Sequence, residues 1–170
     1  FVADVLLAEA ASGPLLALYF VAGAASLPLW VMLSARRGRV FAWLLAMGVS
    51  IVAFAGASLL GAGDVWLFAI ICIASGLALG ADLALPAAIA ADLGERQGQA
   101  GACFGVWNFV AKLNLALAAG LALPLLALLG YVPGSGEGLA SLTFAYALLP
   151  LGFKALAGLL LWRWRRSLEI

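Results

Sequence analysis

The side chains best suited to chemistry are scarce in this sequence. It contains no histidine. Its two cysteines, Cys72 and Cys103, lie in apolar stretches without CxxC or metal-ligand spacing and read as small buried hydrophobes. No nucleophile–base spacing and no metal cluster stand out, so an enzyme would have little to work with. What remains is charge set in oil. In "FGVWNFVAKLNLALAAGLAL" (104–123) the one charged residue is Lys112. Asp82 interrupts the apolar run before it, and Lys154 the run after it.

Around Lys112 the spacing is informative. Gly101, Gly105, Asn108 and Lys112 follow steps of four, three and four residues, which share one face of an α-helix, and Ala116 and Ala119 extend it. Phe104, Val106, Val110, Leu113 and Leu117 fill the opposite side. One face is small and polar, the other large and apolar, so a helix or a solute can approach the backbone closely along the stripe. Lys112 stands ~20 Å along the axis from the start of its helix, beyond the reach of a lysine stem to the surface. Asp82 lies ten residues, or ~15 Å, before Asp92 on the preceding helix, at similar depth. Pro86 cannot donate to the Asp82 carbonyl, leaving a free acceptor and a kink beside the carboxylate. Two roles are open for these charges: Asp82 and Lys112 neutralise each other, or at least one lines a water-filled cavity and touches a solute, as intramembrane charges commonly do. A pair that opens when solute arrives would serve as both. Lys154, ~13 Å from Arg163, has no such stripe and is expected to snorkel or pack. Gly76 and Gly80 form a GxxxG that predicts close helix packing.

The elements that must position these groups follow from composition. Of 170 residues 66% are hydrophobic and 10% charged, against roughly 25% charged in soluble domains. The net charge of +1 offers no field for nucleic acid. Runs long enough to cross a bilayer, punctuated by "SARRGR", "GAGD", "DLGERQGQ" and "YVPGSGEG", predict an all-α membrane protein. Its five complete helices cover about 12–34, 40–61, 65–91, 98–130 and 139–162. Residues 1–9 read as the end of a preceding span with its outer loop, and 10–170 as a bundle with a basic tail from 163. Phe1 is not a start methionine, and no signal peptide is expected. Seven arginines (36, 37, 39, 96, 163, 165 and 166) fall in alternate connections, while Asp4, Glu9, Asp64 and Glu137 occupy the others. By the positive-inside rule residue 1 lies outside and the "WRWRR" tail in the cytoplasm, as for a multi-pass protein of an inner (plasma) membrane in contact with the lipid bilayer.

The stretch "LPAAIAADLGERQGQAGACFGVWNFVAKLNLALAAGLALPLLALLGYVPG" (85–134) resembles the glycoside–pentoside–hexuronide:cation symporters, the melibiose-permease type of the major facilitator superfamily. An aspartate ending a span (Asp92), a short charged loop, a lysine twenty residues on (Lys112) and "GYVPG" coincide in order. "ALLPLGFKALAGLLLWRWRR" is similar to that family's last helix and tail, and "YFVAGAASLPLWVMLSARRGR" to its eighth helix with the basic turn after it. The resemblance implies the carboxy-terminal six-helix bundle of a twelve-helix transporter, the five spans being helices eight to twelve. It implies cation-coupled symport of a sugar or related small solute by alternating access, and no cofactor beyond a coupling Na+ or H+. It further implies that Lys112 and Asn108, with Trp107 beside them, meet solute, and that Asp92, Arg96, Arg36 and Arg37 form a cytoplasmic gating network. Leu83 stands where sugar-binding relatives can carry a tryptophan, next to Asp82, which also counts as a candidate solute ligand. The family's coupling carboxylates belong to an amino-terminal half that this sequence does not contain, so the partner is that half or another membrane subunit. A rival expectation is a non-transporting subunit that keeps the bundle as packing material, with the Lys112 face covered by a neighbouring chain.

Overall fold

The computed structural model describes residues 1–132, 134 and 138–168. A 3-10 turn at Glu9–Ala11 leads into α1 (Ser12–Arg37), followed by α2 (Arg39–Ala57), α3 (Val65–Arg96) and α4 (Ala100–Leu128). The fifth span, Leu139–Leu168, comprises α5 (Leu139–Thr143), a π-helical turn (Phe144–Leu148) and α6 (Leu149–Leu168). Five helices are thus long and apolar enough to cross a membrane, and the described residues contain no strand. This is an all-α membrane fold.

Local chemistry explains the breaks. Gly38 at φ 89° turns the chain between α1 and α2 in a single residue, a conformation that glycine adopts without strain. Arg36 and Arg37 close α1, where cations complement the helix dipole. Pro28, Pro86 and Pro124 all stay inside helices, and α3 runs on through Pro86 to Arg96. In the fifth span, Pro150 lacks the N–H that would bond the Tyr146 carbonyl, and the helix widens into its π turn just before it. Residues 1–8 form turns, one closed by the Val5 N–H on the Phe1 carbonyl at 2.8 Å. Leu6 is buried among Leu15, Phe68 and Cys72, and Phe1 stacks on Tyr146 at 4.5 Å.

Helices α1, α2 and α3 make the core. Gly76 and Gly80 of α3 lie against α1: a Cβ on Gly76 would stand 2.9 Å from the Ala22 Cβ, and one on Gly80 would stand 2.6 Å from the Gly23 carbonyl. The GxxxG therefore packs closely, as its spacing predicts. The contact is tied by hydrogen bonds from Ser26 Oγ (3.1 Å) and Trp30 Nε1 (2.7 Å) to the Leu77 carbonyl. Ala42, Ala46, Ala78 and Ala81 fill the space beneath Trp30. The fifth span joins through α2, with Leu161 buried beside Val40, Met47 and Ile89. Helix α4 is different: none of its residues is buried, and its close contact is at its start, where a Cβ on Gly94 would meet Ala100 Cα at 2.6 Å.

Candidate functional site

Three charges sit near the middle of their spans. Asp82 is fourteen residues from the end of α3, Lys112 twelve from the start of α4 and Lys154 fourteen from the end of α6, so each is roughly 18–21 Å from a helix end. Moving a single charge to the bilayer centre costs ~3 kcal/mol or more, and the fold offsets that cost for Asp82 and Lys154 together but gives Lys112 no ion pair among the described residues.

Asp82 pairs with Lys154, where pairing with Lys112 and snorkelling of Lys154 were among the expectations. Its other oxygen accepts a hydrogen bond from Trp43 Nε1 at 2.9 Å. Three spans meet there: Asp82 on α3, Trp43 on α2 and Lys154 on α6. Lys154 does not snorkel to a surface, and Asp82 does not reach Lys112. The reason is rotation about the helix axis. Asp82 faces the side of α3 where α2 and α6 pack, whereas α4 adjoins α3 at the Gly94–Ala100 corner. Side-chain exposures of 22% for Lys154 and 29% for Asp82 mark the pair as mostly covered.

Lys112 is exposed on α4 and forms no ion pair among the described residues. Gly101 and Gly105, on the same face, have open space where a side chain would be. Asn108 is half-buried and donates from Nδ2 to the Phe104 carbonyl at 3.0 Å; Trp107, also half-buried, stands beside it. The small polar stripe is therefore an open face within this chain. A lysine there presents three N–H donors and no acceptor, and an asparagine presents both, a combination that suits a polyhydroxylated or anionic solute. Leu83, on α3, is exposed.

At the end of the bundle where α1, α3 and α6 finish, Asp92 pairs with Arg39, which also donates from Nη1 to the Ala88 carbonyl at 2.9 Å. The expected network was Asp92 with Arg96, Arg36 and Arg37; the ion pair seen at Asp92 is with Arg39, which that expectation did not include. Gly38 reverses the chain, so Arg39, as the first residue of α2, turns back toward α3, while Arg36 remains exposed and Arg37 lies over the Phe41 ring at 5.9 Å. Arg96 and Arg37 line the same cleft as Asp92 and Arg39. At the opposite end Asp4 accepts hydrogen bonds from the Tyr131 hydroxyl (2.7 Å) and the Gly134 N–H (3.2 Å). That hydrogen bond, with lesser contributions from partial loss of water and the Asp4 charge, pushes the Tyr131 phenol above its ordinary value. Glu137, and Pro133 of "GYVPG", lie outside the described residues.

Arg39, Trp43 and the Lys154–Asp82 pairing escaped sequence reasoning. Each joins segments dozens of residues apart, and no local spacing links them.

Comparison with known protein families finds one whose description is MFS/sugar transport protein, matching residues 1–166. No curated protein and no solved structure matches the chain.

Proposed function

The chain belongs to the MFS/sugar transport protein family, and on that premise we propose that it is one wall of a secondary active transporter. In this reading it is the carboxy-terminal bundle of a melibiose-permease-type symporter. The five spans are helices eight to twelve, and a sugar or related small solute moves with Na+ or H+ by alternating access. The other wall is an amino-terminal bundle that brings the main coupling carboxylates.

One observation carries the proposal. The fold neutralises Asp82 with Lys154 and leaves Lys112, at the same depth, on an open face with Asn108, Trp107 and two glycines. A membrane-embedded ammonium is tolerable where it meets water, a counter-charge or a passenger. Facing the second bundle, Lys112 and Asn108 donate to solute oxygens and Trp107 offers its ring to an apolar sugar face. Asp82, with Trp43 and Lys154 on its oxygens, holds α6 to α3 and positions the wall. Asp92 with Arg39, beside Arg96 and Arg37, forms the inner gate: the charges meet when the cavity opens outward and part when it opens inward, Arg36 staying at its rim.

The test is solute uptake by the full-length transporter. Lys112→Ala is expected to lower uptake at least ten-fold while leaving the amount in the membrane unchanged. Undiminished, normally coupled uptake would refute the role of this face. Cross-linking of Lys112→Cys to a separate, tightly bound chain, with no uptake of any solute, would support the packing-subunit reading instead.

A further inference from the structure

Helix α4 carries the stripe of Lys112 and Asn108, yet its length is sparsely packed. None of its 29 residues is buried, so its place depends on what holds its two ends. At the start, backbone lies against backbone. The Gln99 N–H bonds the Gly94 carbonyl at 2.8 Å, and a Cβ on Gly94 would stand 2.6 Å from Ala100 Cα. Just beyond the other end, the Asp4 carboxylate accepts from the Tyr131 hydroxyl (2.7 Å) and the Gly134 N–H (3.2 Å).

Asp4 is itself firmly placed. Leu6, two residues on, is 1% exposed among Leu15, Phe68 and Cys72, and its carbonyl accepts the Gly63 N–H at 3.2 Å. Leu7 holds φ 54°, a left-handed conformation that a leucine keeps only where surrounding contacts impose it. Residues 1–8 therefore form a strap fixed to α1 and α3, with Asp4 as its hook on the α4 corner. That corner also meets the fifth span. The Leu129 carbonyl accepts from Ser141 Oγ at 2.8 Å, and the π turn at Phe144–Leu148 follows directly. Such turns are frequent where a helix adjusts for function.

We propose that Asp4 is a positioning residue for the solute face: through Tyr131 and Gly134 it latches the far end of α4, and the latch opens and closes as solute binds and leaves. Side-chain hydrogen bonds at a surface end yield more readily than interlocked backbones, so α4 pivots at the Gly94–Ala100 corner. Ala100 to Lys112 is ~18 Å along the axis and Ala100 to Leu128 ~42 Å. An opening of about 3 Å at the latch breaks the Tyr131 hydrogen bond and carries Lys112 about 1.3 Å, enough to make or lose a hydrogen bond to solute. The consequence for solute rests on the transport reading; the hold on α4 does not.

The experiment uses the full-length protein in lipid nanodiscs, with amide hydrogen exchange followed peptide by peptide. Asp4→Ala and the milder Tyr131→Phe are expected to speed exchange at least five-fold over residues 117–128 and to leave 100–108 and α3 unchanged. Equal acceleration throughout α1–α3 would mean general loosening, and no acceleration would mean that α4 is held elsewhere; either overturns the proposal. Opening is tested by Asp4→Cys with Tyr131→Cys, Cys72 and Cys103 being replaced by alanine. Bridging the two thiols with a short bifunctional thiosulfonate is expected to lower solute uptake at least ten-fold relative to the unbridged variant, with recovery on reduction. Undiminished uptake with the bridge in place would show that the latch never opens, and would sink the proposal. Should Lys112→Ala transport normally while the latch variants still speed exchange at 117–128, the solute role of the α4 face fails and the hold of Asp4 on α4 stands.

Discussion

At the scale of single residues, the ion pair of Asp82 and Lys154 separates support from function. Truncating one member of a buried pair costs ~3–5 kcal/mol because the other charge is stranded, while exposed pairs contribute ~1 kcal/mol or less. With roughly a quarter of each side chain exposed, Lys154→Ala or Asp82→Asn should destabilise by about 1–3 kcal/mol. The double variant Lys154→Met with Asp82→Asn should recover much of that loss, and a double-mutant cycle from thermal unfolding reads the coupling. A pH effect belongs to the opposite end. Tyr131 donates to Asp4, which raises the phenol's pKa. The hydrogen bond's contribution is therefore fully present below the unfolded phenol value, about 10, and fades as pH rises through the higher folded value. The stability difference between wild type and Tyr131→Phe should be constant near neutrality and close in strong alkali. A difference that persists there would show that the ring, not the proton, holds the loop.

Among the elements, glycine has two distinct uses here. In α3 it admits α1: Gly80→Ala must push a methyl against the Gly23 carbonyl and Ser26, and should destabilise by about 1–3 kcal/mol. In α4, by contrast, Gly105 has open space, and alanine in a helix interior is preferred over glycine by roughly 1 kcal/mol. Gly105→Ala should therefore leave thermal stability equal or higher. If the stripe admits solute, uptake by the same variant falls. Loss of stability instead would place a neighbour against that face. The π turn at Phe144–Leu148 belongs to this scale too. It lets the fifth span keep Pro150 while Tyr146 packs on Phe1 and Phe54.

For the molecule as a whole, charge collects at the ends of the bundle. Arg37, Arg39 and Arg96 share a cleft with Leu168, while Asp4 and Tyr131 meet at the other end, where the Leu6 carbonyl also receives the Gly63 N–H at 3.2 Å. The positive-inside rule predicts a cytoplasmic arginine end. An impermeant maleimide should then label Gly61→Cys from outside only and Gln99→Cys from the cytoplasmic side only. The reverse pattern would invert the proposed orientation. Helix α4, with none of its residues buried, touches the bundle closely at one end. In the transport reading proposed above, its exposed length is the surface offered to a second bundle.

The number of spans, their helical nature and the close glycine contact of α3 were all readable from the chain. Each depends on a local quantity: the apolar length needed to cross a bilayer, the turn residues between such lengths, and the absence of a side chain at four-residue spacing. The stripe of Gly101, Gly105, Asn108 and Lys112 was readable for the same reason, since helical periodicity alone puts them together. Which charges meet was not readable. Asp82 and Lys112 share a depth, but depth is only one coordinate; the rotation of α3 turns the carboxylate to α2 and α6. In the same way a single glycine, by reversing the chain, gave Asp92 to Arg39 in place of Arg36 and Arg37. Pairing across the bundle depends on the neighbour and azimuth of each helix, and those are properties of the packed assembly.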